Sequence, residues 1–330
     1  MQGTRGTTAG RDADRLVSLA EADSFAPLRW LDRFGDAVSS RHRSRALLES
    51  LSSCPSPLEV RRGDDTSGVL VWRAVPDLAE HFGVPVHEVV ALLVDPGAER
   101  RAVVDELLGA LKSELAGGQG FVMLRIEADD RAAMAGATAA GFRLCETSLT
   151  FVNDLERRQL NPPYDATGMR VHRFADGPVP DRLQAVFGSA PTRLVDDHYH
   201  ADHRLDDERC DALYDRVRDR VIRGVGADVV VYHEADGQVT GFGTFRRAVE
   251  LEPFGVALLD RSIGFQFPGA PAGQSNASAA FMCNEVLLDN RFCEWTTQAT
   301  NFRMVNMLGG HRSVRLVRSS HVLHGWIDEW

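Results

Sequence analysis

Two acidic residues stand in runs that otherwise read as strands. Asp260 interrupts GVALLDRSIGFQF, and Glu294 interrupts RFCEWTT, where alternation puts Glu294 on one face and Trp295 on the other. A carboxylate held in such a strand can accept a proton, directly or through water. A denser cluster, DDHYHADHRL, brings His198, Tyr199, His200, Asp202 and His203 together just before a helix. His-x-His-x-Asp offers ligand types but lacks the helical spacing of strong metal motifs, so no metal site is expected there. Near the end, His321 and His324 lie on one strand. Their odd spacing puts them on opposite faces, so at most one faces a site; His324 is the candidate base.

A different chemistry is raised by FPGAPAGQSNASAAFM, Phe267 to Met282, which joins a strand-like run to a helix-like one. Strand, small-residue turn, helix is where many folds receive an anion, because the first turn of a helix has unpaired N–H groups.

These residues need elements to position them. The 330-residue chain is long enough for two domains and has the composition of a globular protein, 44% hydrophobic and 25% charged. Its net charge of −10 argues against a non-specific grip on nucleic acid. No apolar run approaches bilayer length, and MQGTRGTTAGRDAD lacks the apolar core of a secretory signal. A cytoplasmic location without membrane contact is expected. The five cysteines include no CxxC pair, which fits reduced thiols better than zinc or disulfides.

The pattern predicts a mixed α/β fold. Residues 1–25 read as a disordered tail. In 86–152 the order is strand, helix, strand, helix, glycine turn, strand, and 255–327 repeats it. Between them the polar, proline-bearing DLERRQLNPPYDATG reads as a linker. The expected organisation is an N-terminal unit over 26–155, a linker over 156–168 and a second unit over 169–330. The second unit is the fuller one, with an additional strand, two helices and a hairpin turning at ADGQ.

That order, with GQVTGFGTFRRA, CEWTTQATNFRMVNMLGG and the terminal SSHVLHGWI, resembles the GNAT superfamily of N-acyltransferases. More narrowly the whole chain is similar to the TDP-fucosamine acetyltransferase type, in which an incomplete N-terminal unit precedes a complete catalytic one. LRWLDRFG and DDHYHADHRLDDERCDALYDRV carry that narrower likeness. The resemblance implies a tandem GNAT-like fold and a thioester donor on a pantetheine arm. It implies direct attack by the amine of a small molecule, and a side-chain acid for the leaving thiolate. It places Asp260 and Glu294 among the catalytic candidates and the His198–His203 cluster at the acceptor pocket. Asn301 falls where such proteins orient the pantetheine, and Gly273, Gln274, Ser275, Asn276 and Ala277 fall in the phosphate loop.

The chain departs from the family pattern twice. The loop motif Gln/Arg-x-x-Gly-x-Gly/Ala becomes Gln274-Ser-Asn-Ala277-Ser-Ala279. The usual tyrosine acid falls at Val305 or Leu308, leaving Tyr199 and His200 as substitutes. Both losses fit a donor that is either coenzyme A or the 4′-phosphopantetheine of an acyl-carrier protein. An aminoacyl-tRNA-dependent transferase and a non-catalytic binding protein are the rival expectations.

Overall fold

The computed structural model describes residues 11–23, 25, 57–63, 65–160, 165–189, 197–267, 281 and 291–330. In chain order these form helix α1 (Arg11–Ala22), strands β1 (Leu58–Arg62) and β2 (Asp65–Ala74), α2 (Pro76–Phe82), β3 (Val86–Val94), α3 (Arg100–Leu115), β4 (Phe121–Glu127), α4 (Arg131–Ala139) and β5 (Arg143–Asp154). Then come β6 (Met169–Arg173), α5 (Asp181–Ser189), α6 (Asp207–Ile222), β7 (Val229–Ala235), β8 (Gln238–Arg247), β9 (Leu258–Gln266), β10 (Phe292–Gln298), α7 (Phe302–Gly309) and β11 (Val314–Trp326). Among the described residues no helix is long and apolar enough to cross a membrane.

Local chemistry sets these boundaries. The Glu99 carboxylate accepts the Ala102 N–H at 2.7 Å and starts α3, whose Val103, Val104, Leu107, Leu108 and Leu111 form one buried stripe. Asp130 caps α4 in the same way through Ala133 N–H. The β7–β8 hairpin turns on Asp236 and Gly237, both at positive φ, as a two-residue turn between twisted strands requires.

The chain divides into two compact units, residues 1–145 with 320–330, and 146–319. These are not the consecutive stretches the sequence predicts. Unit 1 has the strand order β1-β2-β3-β4-β11, and the last strand is the C-terminal half of β11, with Ser320 to Trp326 antiparallel to β4. Unit 2 has the order β5-β10-β9-β8-β7-β6, and β5, drawn from the N-terminal half of the sequence, pairs with β10 from Asp154↔Phe292 to Ser148↔Gln298. Each unit takes one strand from the other half of the sequence.

The main core of unit 1 joins α3 and α4 to Leu70, Val122, Leu124, Phe142 and Leu323. Residues 11–22, read as tail in the sequence, form α1, which seats Leu19 and Ala20 on Val69, Val71, Ala91 and Leu93. In unit 2, α7 packs Met304, Val305 and Leu308 with Trp295, Cys293 and Phe245. A separate cluster joins Leu183 and Phe187 of α5 and Val221 of α6 to Val230, Tyr232 and Phe242.

Candidate functional site

The site is built where β9 and β10 part. They run parallel and pair through three rungs, Leu258↔Phe292, Leu259↔Cys293 and Asp260↔Glu294, and then share no more. Each strand continues with its other neighbour. β9 stays with β8 to Gln266↔Gly241, and β10 stays with β5 to Gln298↔Ser148. The result is a fork of two strand limbs whose facing backbone groups lack each other as partners.

A β-bulge bends β9 away just past that last rung. Phe245↔Arg261 and Gly243↔Gly264 are both paired, so one residue of β8 opposes two of β9. The displaced amide of Ile263 is held by Thr244. Ile263 N–H donates to Thr244 Oγ1 at 3.0 Å, and that hydroxyl donates to Ile263 C=O at 3.1 Å. Thr244 is fully buried, so its hydroxyl replaces the ladder bonds the bulge removes.

Asp260 and Glu294 are partners on that last rung and therefore point to the same face. Glu294 is pushed up to about 7 by burial and by the neighbouring Asp260, against the pull of Arg318 and Thr296. Asp260 is raised by burial, with Arg246 opposing. Its side chain remains 43% exposed, with Arg246 at 3.8 Å. Arg246 shares its face of β8 with Phe242, the position covered by α5 and α6. The carboxylates thus lie on the side of the sheet served by those two helices and their connection, opposite Trp295 and α7.

That connection carries the His198–His203 cluster, and the structure organises it around Asp197, a residue the sequence reading passed over. Asp197 is 1% exposed. Its carboxylate accepts the N–H of Tyr199 at 2.7 Å and of His200 at 3.1 Å, and lies 2.5 Å from His200 Nδ1. The other nitrogen, Nε2, lies 3.2 Å from Asp211. Both ring nitrogens of His200 are therefore committed, and the residue holds the loop rather than facing a ligand. Tyr214 stacks on His200, and its phenol is driven far upward by burial and by Asp197.

Tyr199 and His198 are half-buried, their rings 3.9 Å apart. The His198 N–H donates to Glu146 at 3.0 Å. Glu146, at the start of unit 2, is a second residue that sequence reading missed; nothing local links it to a loop fifty residues on. Asp202 is buried and accepts the Arg204 N–H, while His203 is exposed.

Asn301 acts as the cap of α7. Its oxygen accepts Met304 N–H at 3.2 Å and its amide donates to Thr297 Oγ1 at 3.1 Å. His324 belongs to unit 1, where it is 1% exposed, pairs with Met123 and lies 4.8 Å from the Phe121 ring. Gly273, Gln274, Ser275, Asn276 and Ala277 lie outside the described residues.

No family model matches the chain, and no curated protein matches it. Solved structures do. A tandem GNAT protein from the clavulanic acid biosynthesis pathway aligns over 97% of this chain and 96% of its own, at 15% identity and a TM-score of 0.52. A GCN5-related N-acetyltransferase from Sphaerobacter thermophilus aligns over 96% of this chain and 93% of its own, at 13% identity and a TM-score of 0.56. At such identities the likeness is one of fold: the chain has the tandem GNAT fold.

Proposed function

We propose that the protein is an N-acyltransferase that moves an acyl group from a pantetheine thioester to the amine of a small molecule. The carrying observation is the carboxylate pair Asp260–Glu294 on the last rung of the β9–β10 fork. The fork fits an extended pantetheine arm, because the limbs beyond that rung offer backbone groups to an added strand-like partner. The thioester supplies an activated acyl carbon and a thiol leaving group.

The chain's own residues have three tasks. The fork holds the acyl carbon beside the carboxylates, which replaces a bimolecular encounter by a positioned one. Glu294, raised to about 7, takes the proton that the attacking amine must lose. The new C–N bond forms as C–S breaks, and the thiolate is released to be protonated. Asp260, kept solvated beside Arg246, attracts the cationic acceptor. Tyr199, His198 and His203, on the connection that serves this side of the sheet, are the acceptor-binding candidates, and Asp197, His200 and Glu146 hold their loop; buried Asp202 braces it through Arg204. Tyr199 is the candidate proton donor to the leaving thiolate.

The donor is coenzyme A or a carrier protein's 4′-phosphopantetheine, and the acceptor an amine of a biosynthetic intermediate or an amino sugar nucleotide. Release of free thiol from acetyl-coenzyme A and acetyl-phosphopantetheine across a panel of such amines tests this reading. Amine-dependent release that Glu294→Gln abolishes supports it. Release that is indifferent to that substitution overturns the assignment of the base.

A further inference from the structure

Unit 1 has a fork of its own. β3 and β4 pair in parallel from Val86↔Phe121 to Val89↔Leu124 and then separate, while β3 stays with β2 to Val94↔Gly68. Beyond the last rung the amide of Asp95 donates to Ser67 on the β2 side at 2.9 Å. Successive amides of a strand point to opposite sides, so Val94 N–H points into the fork. It is not left open. Val94 N–H donates to Asp23 Oδ2 at 2.9 Å.

Asp23 is bound from three directions. Both its carboxylate oxygens lie 3.1 Å from Arg100 Nη1 at the start of α3. Its Oδ1 accepts the N–H of Phe25 at 2.8 Å, and the Phe25 ring covers the guanidinium at 4.5 Å. Arg100 in turn grips Asp130, just past β4, at 2.6 to 3.0 Å. The chain Val94–Asp23–Arg100–Asp130 therefore runs from one limb of the fork to the other, and Asp23 and Asp130 are 1% and 3% exposed. The amides at the start of α3 are also satisfied internally, Gly97 by Asp95 and Ala102 by Glu99. Where a helix start and a parted strand pair can receive an anion, this unit supplies its own carboxylates.

We propose that the fork of unit 1 is a carboxylate-binding site occupied in cis by Asp23, so that the segment from α1 to Phe25 clasps it shut and unit 2 alone takes the acyl donor. The occupancy stands on unit 1 by itself; the assignment of the donor to unit 2 rests on the function proposed above.

Hydrogen–deuterium exchange on the full chain tests it, with sodium acetate and coenzyme A as probes. In the wild type, peptides spanning 90–95 are protected and coenzyme A leaves them unchanged, while it changes exchange in unit 2 around 258–266 and 292–298. In Asp23→Ala, 90–95 exchanges at least roughly tenfold faster while 121–127 holds. Acetate restores the protection, and chloride at equal ionic strength does not. The proposal is overturned if Asp23→Ala leaves 90–95 unchanged, if acetate and chloride act alike, or if coenzyme A protects 90–95 in the wild type. Should Asp23→Ala lose all cooperative structure, Arg100→Lys is read instead. It keeps the charge but loses the two-sided grip, and unchanged exchange at 90–95 in that variant also overturns the clasp. Coenzyme A that protects neither unit contradicts the proposed function, and the acetate arm then decides the occupancy alone.

Discussion

Asp260 and Glu294 are partners on the last rung that β9 and β10 share, so two carboxylates stand on one face at the point where the strands part. Like charges this close disfavour double ionisation, and burial falls mainly on Glu294. One partner is thereby kept protonatable near neutrality and the other kept solvated. Such a division suits a base that must receive a proton and pass it to water.

Replacing Glu294 by Gln is expected to separate activity from stability. Amine-dependent thiol release should fall about 100-fold or more. In the wild type, release should rise with pH through about 7, as Glu294 loses its proton, and this inflection should vanish in the variant. Stability should move the other way. The folded carboxyl holds its proton more tightly than the unfolded one, so its contribution is most favourable at low pH and is lost as pH rises from about 4.5 to about 7. Glu294→Gln should therefore stabilise the protein at pH 8, by at most ~3 kcal/mol, with little gain at pH 5. Denaturant melts at the two pH values check the sign.

Thr244→Val tests the bulge. The substitution keeps the shape and removes the hydroxyl that serves both backbone groups of Ile263. A loss of about 1–3 kcal/mol in chemical denaturation is expected, with weaker pantetheine binding, because the β9 limb loses its fixed divergence.

Asn301 separates capping from ligand binding. Asn301→Asp preserves the oxygen that receives Met304 N–H, and should leave stability nearly unchanged. Asn301→Ala should cost about 1 kcal/mol. If both variants bind coenzyme A as the wild type does, the residue acts through α7 alone.

The strand exchange makes truncation informative. A fragment of residues 156–319 lacks the β5 segment that pairs along all of β10, whereas 146–319 keeps it. The longer fragment should unfold cooperatively and the shorter one should not, as read by circular dichroism on heating.

Much of the element pattern is legible in the sequence because it is local. The heptad-like stripe of α3, the glycine stop of α2 and the turn at Asp236-Gly237 are each set by residues a few positions apart. Strand partnership is not local. Alternation marks 143–154 and 314–326 as strands but says nothing about which sheet each enters, so the exchange stays hidden. The same limit governs the site. Asp260 and Glu294 are visible singly as charges in strands, but their shared rung depends on register. Asp23 and Glu146 draw their roles from partners more than fifty residues away, Val94 and Arg100 for the one and His198 for the other, which no local pattern marks. Asp197 binds residues two and three positions on, a local turn signal that is legible in the sequence but passed over.

The most direct measurement is calorimetric titration of the full chain with coenzyme A beside 4′-phosphopantetheine. The expected result is saturable binding of both, at one equivalent per chain, because the fork of unit 2 receives the arm the two share and the fork of unit 1 is closed. Tighter binding of coenzyme A would mean that the 267–282 turn also holds its phosphates. Equal affinity would favour a carrier-protein donor. Absence of binding by either compound would contradict the reading of the β9–β10 fork as a pantetheine site.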